Sequence, residues 1–138
     1  VTAARGPRRH LEPVALAKAG PLRLILPTRG NARRARLDTY LESVGVQVAA
    51  VLEMDAMMGT LDLIANSDWV SILPATVCFP DLDGGARRVH PVIDPPLTVD
   101  YVLITPATRT IGAAAQSFAE TLSGQIRRIG EAWNKRLA

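Results

Sequence analysis

Between Leu22 and Leu73 short branched-apolar runs alternate with helical patterns, and this alternation restricts the fold more than any other feature. Leu22-Arg23-Leu24-Ile25-Leu26, bounded by Pro21 and Pro27, predicts a buried strand. After Thr28-Arg29-Gly30-Asn31 the apolar positions Leu37, Tyr40, Leu41 and Val44 recur at helical spacing, and Gly45 closes the helix. A second strand is expected over Val48–Glu53, a second helix through Met57, Leu61, Ile64 and Ala65, and a third strand over residues 69–73. Strand, helix, strand, helix, strand at this spacing is the pattern of a parallel sheet wound by right-handed crossovers. The fold class is therefore α/β, a Rossmann-like parallel sheet flanked by helices.

The flanking segments are less regular. Up to Gly20 the chain is punctuated by Gly6-Pro7 and Pro13 and reads as a connector, with Leu11, Val14, Ala15 and Leu16 enough for a turn or two of helix. Past Pro74 a turn-rich loop, Asp81-Leu82-Asp83-Gly84-Gly85, precedes two expected strands over residues 89–93 and 99–105, separated by Asp94-Pro95-Pro96. A long helix is expected from Thr110, with Ile111, Ala115, Phe118, Leu122, Ile126, Ile129 and Trp133 on one continuous face. Gly112, Gly124 and Gly130 weaken it, so its far end is expected to fray. Neither an internal repeat nor a low-complexity tract is evident.

With 138 residues, 48% of them hydrophobic, the chain is one domain or most of one and can bury a core. No apolar run approaches the ~20 residues that span a bilayer, and residues 1–13 contain no apolar signal core, so a soluble chain without membrane contact is expected. The first residue is Val rather than Met, which suggests a piece of a longer polypeptide. The single cysteine, Cys78, excludes an internal disulfide framework and a cysteine-based zinc cluster, and it fits a reducing compartment.

A net charge of +3 hides an uneven distribution. Residues 1–40 hold nine basic residues against two acidic, whereas residues 41–110 hold three basic against nine acidic. A basic stretch points to nucleic acid or to small anions. The basic residues are not interleaved with aromatics, and no helix-turn-helix or RNA-binding signature accompanies them, which favours small anions.

In an open parallel sheet, ligands bind at the carboxyl ends of the strands, where the next helices present their amino termini. Three such ends are expected on one edge: Thr28 to Asn31, Met54-Asp55, and Pro74 to Thr76. The first is the richest. Thr28 and Asn31 offer a hydroxyl and an amide, Gly30 allows close backbone approach, and the helix terminus with Arg29 nearby favours an anion, most naturally a carboxylate. The competing role of Thr28, Asn31 and Asp55 is to cap the helices they precede, which is what such residues do in most proteins. Arg29, Arg33, Arg34 and Arg36 likewise read as a solvated face.

Enzyme signatures are missing: there is no G-x-S-x-G, G-x-x-x-x-G-K, G-x-G-x-x-G or H-E-x-x-H. Cys78 and His90 are a conceivable nucleophile and base, but a small buried thiol and an unrelated imidazole are the plainer reading. His10 is expected exposed. Trp69, Met57 and Met58, and the stripe of Phe118, Ile126 and Trp133, are read as core. No metal and no cofactor are expected, and the chain is not read as an enzyme.

The run Leu24-Ile25-Leu26-Pro27-Thr28-Arg29-Gly30-Asn31, an Arg-rich helix, Val51-Leu52-Glu53-Met54-Asp55, Ile72-Leu73-Pro74, Pro91-Val92-Ile93-Asp94-Pro95 and the closing helix from Thr110 to Leu122 resemble, in that order, the effector-binding domain of LysR-type transcriptional regulators. The resemblance covers the chain from about Pro7 to Leu122. It implies a two-lobed fold of the periplasmic-binding-protein type II kind, with an incomplete first lobe here. Residues from about 22 to 93 correspond to the second lobe, and about 99 to 122 to a return segment completing the first. Val1-Thr2 would be the tail of a lobe-one strand.

By the same resemblance Thr28, Arg29, Gly30, Asn31, Glu53, Met54 and Asp55 line the interlobe cleft, where a small effector, often an organic acid, binds. One departure stands out: many members carry Gly-x-Gly before the third strand, where this chain has Asn66-Ser67-Asp68-Trp69. The resemblance implies a cytoplasmic homo-oligomer that reaches promoter DNA only through an amino-terminal winged helix-turn-helix. Two alternatives remain, a ligand-binding lobe of an exported solute-binding protein and a small enzyme using Cys78.

Overall fold

The computed structural model describes residues 1–108 and 110–138. Two short strands, β1 (Thr2–Ala3) and β2 (Val14–Ala15), precede the alternating region. This then runs β3 (Leu22–Leu26), α1 (Ala32–Ser43), β4 (Val48–Glu53), α2 (Met57–Asn66) and β5 (Val70–Ser71). Next come β6 (Arg87–Arg88), β7 (Val92–Ile93) and the terminal helix α3 (Ala113–Leu137). The chain divides into two units, Val1–Leu97 and Thr98–Ala138.

In the first unit β4, β3 and β5 form a parallel sheet in that order, with Leu24 beside both Val51 and Val70. The middle strand has neighbours on both sides, and Leu24, Ile25 and Leu26 are 0%, 1% and 2% exposed. Leu24 and Leu26 join Leu37, Tyr40 and Leu41 of α1 and Val14 and Leu16 in one core cluster. Ile25, by strand alternation, faces the other way. From β3 to β4 the chain moves one way along the sheet, and from β4 to β5 it moves back across β3. Right-handed crossovers in opposite directions set α1 and α2 on opposite faces. Gly45 ends α1 as its position predicts: its φ of 67° carries the chain into the left-handed region, where Val46 N–H reaches the Leu41 carbonyl at 3.0 Å.

The step before β5, where the resemblance leads one to expect Gly-x-Gly, is closed by side chains. Ser67 Oγ donates to the Leu63 carbonyl and accepts from Trp69 N–H at 3.2 Å. Arg23 of β3 donates to both oxygens of Asp68 at 2.7 Å and lies 4.4 Å over the Trp69 ring. Trp69 and Met57 are only partly buried, and Met58 is exposed, so these three are not the core expected of them.

Residues 1–20 are not a connector. β1 pairs antiparallel with β6, β2 pairs parallel with β7, and Ala3, Val14 and Leu16 are buried. The apolar residues expected to form a turn of helix serve a two-residue strand and a 3-10 turn at Leu16–Lys18. The strand expected over 89–93 is accordingly split, because β6 and β7 pair with two different partners on either side of Val89, His90 and Pro91. β1, assigned by resemblance to a first-lobe strand, sits in the same unit as β3, β4 and β5, held by the Val1 amine donating to the Ser71 carbonyl at 2.8 Å.

His10 is not exposed: its Nε2 donates to the Leu82 carbonyl at 2.9 Å and its Nδ1 accepts from Val89 N–H. His90 is buried, with Nδ1 3.2 Å from the Glu12 carbonyl and Nε2 3.0 Å from Thr2 Oγ1. A neutral ring satisfies both contacts, one as donor and one as acceptor.

In the second unit residues 99–105 form no strand. Strand propensity is realised only beside a neighbouring strand, and no strand ladder includes this segment among the described residues; Val102 and Ile104 are 78% and 86% exposed. α3 starts at Ala113, not Thr110, because Gly112 takes an extended conformation and serves as N-cap. It continues helical to Leu137, through Gly124 and Gly130. Trp133 is buried, but Phe118 (68% exposed), Leu122 and Ile126 are not, so most of the expected core stripe faces solvent.

Burial, with smaller opposition from the Val1 amine and Arg8, pushes the His90 pKa down from 6.5 to about 4, against the pull of Glu12. An unfolded chain takes up a proton at His90 below pH 6.5 that the folded chain refuses until about pH 4. The stabilisation is complete above pH 6.5 and is expected to drain away between there and pH 4. Urea midpoints across that range should fall for the wild-type chain and stay flatter for His90→Gln.

Candidate functional site

The carboxyl end of β3 is the fixed point of the site. Three successive carbonyls there accept from three different segments. Ser71 Oγ of β5 donates to Ile25 O at 2.8 Å, Met54 N–H after β4 donates to Leu26 O at 2.9 Å, and Arg34 Nη1 of α1 donates to Pro27 O at 2.8 Å. The loops leaving β3 and β4 then turn to opposite faces and open a crevice between them. That crevice, with a cavity volume of about 10 Å³, is lined by Pro27, Arg33, Met54, Asp55, Thr60 and Leu73 among others. Effector-sized pockets run from roughly 300 Å³ upward, so this is the floor of a site rather than a whole one.

Of the residues expected at the site, Thr28, Asn31 and Asp55 are in direct contact. Asp55 accepts from Thr28 Oγ1 at 2.5 Å, from Thr28 N–H at 3.3 Å and from Asn31 Nδ2 at 3.3 Å. Asn31 also caps α1, its Oδ1 accepting from Arg33 N–H at 3.0 Å, while its Nδ2 serves Asp55. Asp55 does not cap α2. The N-cap is Ala56, with no side-chain bond, because the Asp55 carboxylate is turned across to the β3–α1 junction.

Glu53 is drawn the other way, to Arg34 Nη1 at 2.9 Å and Arg29 Nε at 3.7 Å. Arg29 is an open cation, its side chain 86% exposed. Gly30 is exposed and a Cβ there would meet nothing within 4 Å, so packing does not explain the glycine. Met54 lines the crevice wall.

Arg34 is the residue at this edge whose placement sequence reasoning missed. Read as part of a solvated face, its side chain is only 7% exposed. It holds Asp38 through Nε at 2.8 and 2.9 Å, and Pro27 O and Glu53 through Nη1. These bonds, chiefly that from Asp38, raise its pKa against the burial penalty. The available signal was Asp38 four residues on, one helical turn from Arg34. Arg33, its neighbour, has a buried Nε without a hydrogen-bond partner in the described structure.

The arrangement therefore gathers anion donors, from Thr28 and Asn31 with Arg33 and Arg29 nearby, around a carboxylate. It holds no nucleophile with a base. Cys78 is buried, and burial pushes its thiol up to about 11, so it stays protonated at neutral pH. His90 is engaged with Thr2 and Glu12 instead. Among the described residues no group of three or more His, Cys, Asp or Glu could hold a metal ion, and no helix is long and apolar enough to cross a membrane.

Replacing Arg34 by Ala should cost about 1–3 kcal/mol in urea unfolding, since it strips the Pro27 carbonyl of its donor while leaving half-exposed Asp38 and Glu53 to water. The Asp55 carboxyl is held below its ordinary 3.8, chiefly by the Thr28 hydroxyl. A carbon-detected NMR titration should place its midpoint below 3.8, and Thr28→Val should move it upward.

A family model for the LysR substrate binding domain matches residues 1–127. No curated protein and no solved structure gives a significant match.

Proposed function

Because the chain belongs to the LysR substrate-binding domain family, whose fold is periplasmic-binding-protein-like, we propose that it senses a small effector for a LysR-type transcriptional regulator. The effector binds at the carboxyl edge of the parallel sheet, against Thr28, Arg29, Gly30 and Asn31 on one side and Glu53, Met54 and Asp55 on the other. It is a small carboxylate. The observation that carries this reading is the junction's own behaviour: three donors from Thr28 and Asn31 already converge on a carboxylate, that of Asp55.

The first lobe closes over the crevice and supplies the remaining contacts, which fits a floor too small to enclose a ligand alone. Effector binding shifts the population of lobe arrangements, and the shift reaches promoter DNA through a winged helix-turn-helix and a homo-oligomeric assembly in the cytoplasm. Support for self-association comes from α3, where Phe118, Leu122 and Ile126 recur every fourth residue and are exposed. Sensing by binding, without turnover, agrees with a protonated Cys78 and with His90 engaged elsewhere.

In the full regulator, Thr28→Ala combined with Asn31→Ala should abolish induction in a reporter assay while leaving operator affinity within about twofold, since these residues lie outside the DNA-binding segment. Unchanged induction would remove the site assignment.

A further inference from the structure

We propose that Asp55 is a built-in competitor for the effector, so that an anionic effector enters by exchange with an internal carboxylate rather than by filling an empty receptor. This rests on the effector-site reading above and concerns how that site is regulated. Asp55 has no duty to its own helix, since α2 is capped by Ala56 without any side-chain bond. Its carboxylate instead crosses from the β4–α2 junction to the β3–α1 junction and takes Thr28 N–H, Thr28 Oγ1 and Asn31 Nδ2. The other carboxylate at this edge, Glu53, is tied down by the buried guanidinium of Arg34. Asp55 is exposed and bonded only to Thr28 and Asn31 among the described residues, so it is the one free to leave.

Exchange also offers something that Asp55 leaves unused. Arg33 Nε lies buried at the same crevice with no hydrogen-bond partner among the described residues, although Arg33 is close enough to favour the Asp55 charge. A ligand with acceptors beyond one carboxylate can take over the Thr28 and Asn31 donors and satisfy Arg33 as well. Once displaced, Asp55 no longer adds to the tie between the start of α2 and the end of β3, which is then left to the Met54 N–H bond to the Leu26 carbonyl. The competitor lowers apparent affinity by the fraction of molecules in which the donors are uncovered.

The test uses the 138-residue chain and acetate as the probe, titrated at pH 7 and constant ionic strength while amide and side-chain NMR signals of Thr28 and Asn31 are followed. Asp55→Ala should bind acetate saturably at those two residues, about tenfold or more tighter than the wild-type chain. Equal acetate affinity in the two chains, or shifts confined to other residues, would overturn the proposal. Should Asp55→Ala not fold, Asp55→Asn keeps the shape and removes the charge, and the same strengthening is required of it. The two readings fail separately. A reporter that still responds without Thr28 and Asn31 rejects the effector site whatever acetate does, whereas lost induction with unchanged acetate affinity rejects only the competitor.

Discussion

Parallel pairing of β3 with β4 on one side and β5 on the other is the constraint on which the remaining structure rests. It brings the three carboxyl ends to a single edge, and it leaves the carbonyls of Ile25, Leu26 and Pro27 to be satisfied from outside the strand. Ser71, Met54 and Arg34 do so from β5, the β4–α2 junction and α1. Each bond removes a buried unsatisfied acceptor and at the same time sets where one wall of the crevice stands. Site geometry and strand termination are thus one problem with one solution, which is why a guanidinium is buried beside the proposed effector position.

The charge asymmetry along the chain has its resolution in the same contacts. Several of the basic residues in the first forty are paired with acids. Arg23 meets Asp68, Arg29 meets Glu53, and Arg34 meets both Asp38 and Glu53. Two of these acids lie in the acidic stretch that follows, so opposite charges separated in sequence are paired across the strands. An uneven run of charge reads as a nucleic-acid signal only if it stays unpaired on a surface. What is left at the edge is a local surplus of donors, with Asp55 already upon them.

Some expectations failed because pairing is a relation between segments. Residues 99–105 have strand-forming residues and no strand, whereas Thr2–Ala3 and Val14–Ala15 have weak local signals and form strands because β6 and β7 lie alongside. Phe118, Leu122 and Ile126 repeat at core-like spacing on α3 yet face solvent. Helical periodicity states which residues share a face, and it says nothing of whether a surface exists to cover them.

The sequence by itself determined the α/β class, the bounds of β3 and β4, the extent of α1 and α2 to within a residue or two, and the edge at which Thr28, Asn31 and Asp55 would gather. Those follow from local periodicity and from the parallel crossover rule, which act over short spans. Only the tertiary structure decided that Asp55 turns to the neighbouring junction rather than capping its own helix, that Arg34 is buried while Arg29 is open, and that the first twenty residues belong to the fold. Each of these depends on which group a side chain finds across the sheet. A polar side chain takes the partner that satisfies it best in three dimensions, and the distance to that partner along the chain carries no record of it.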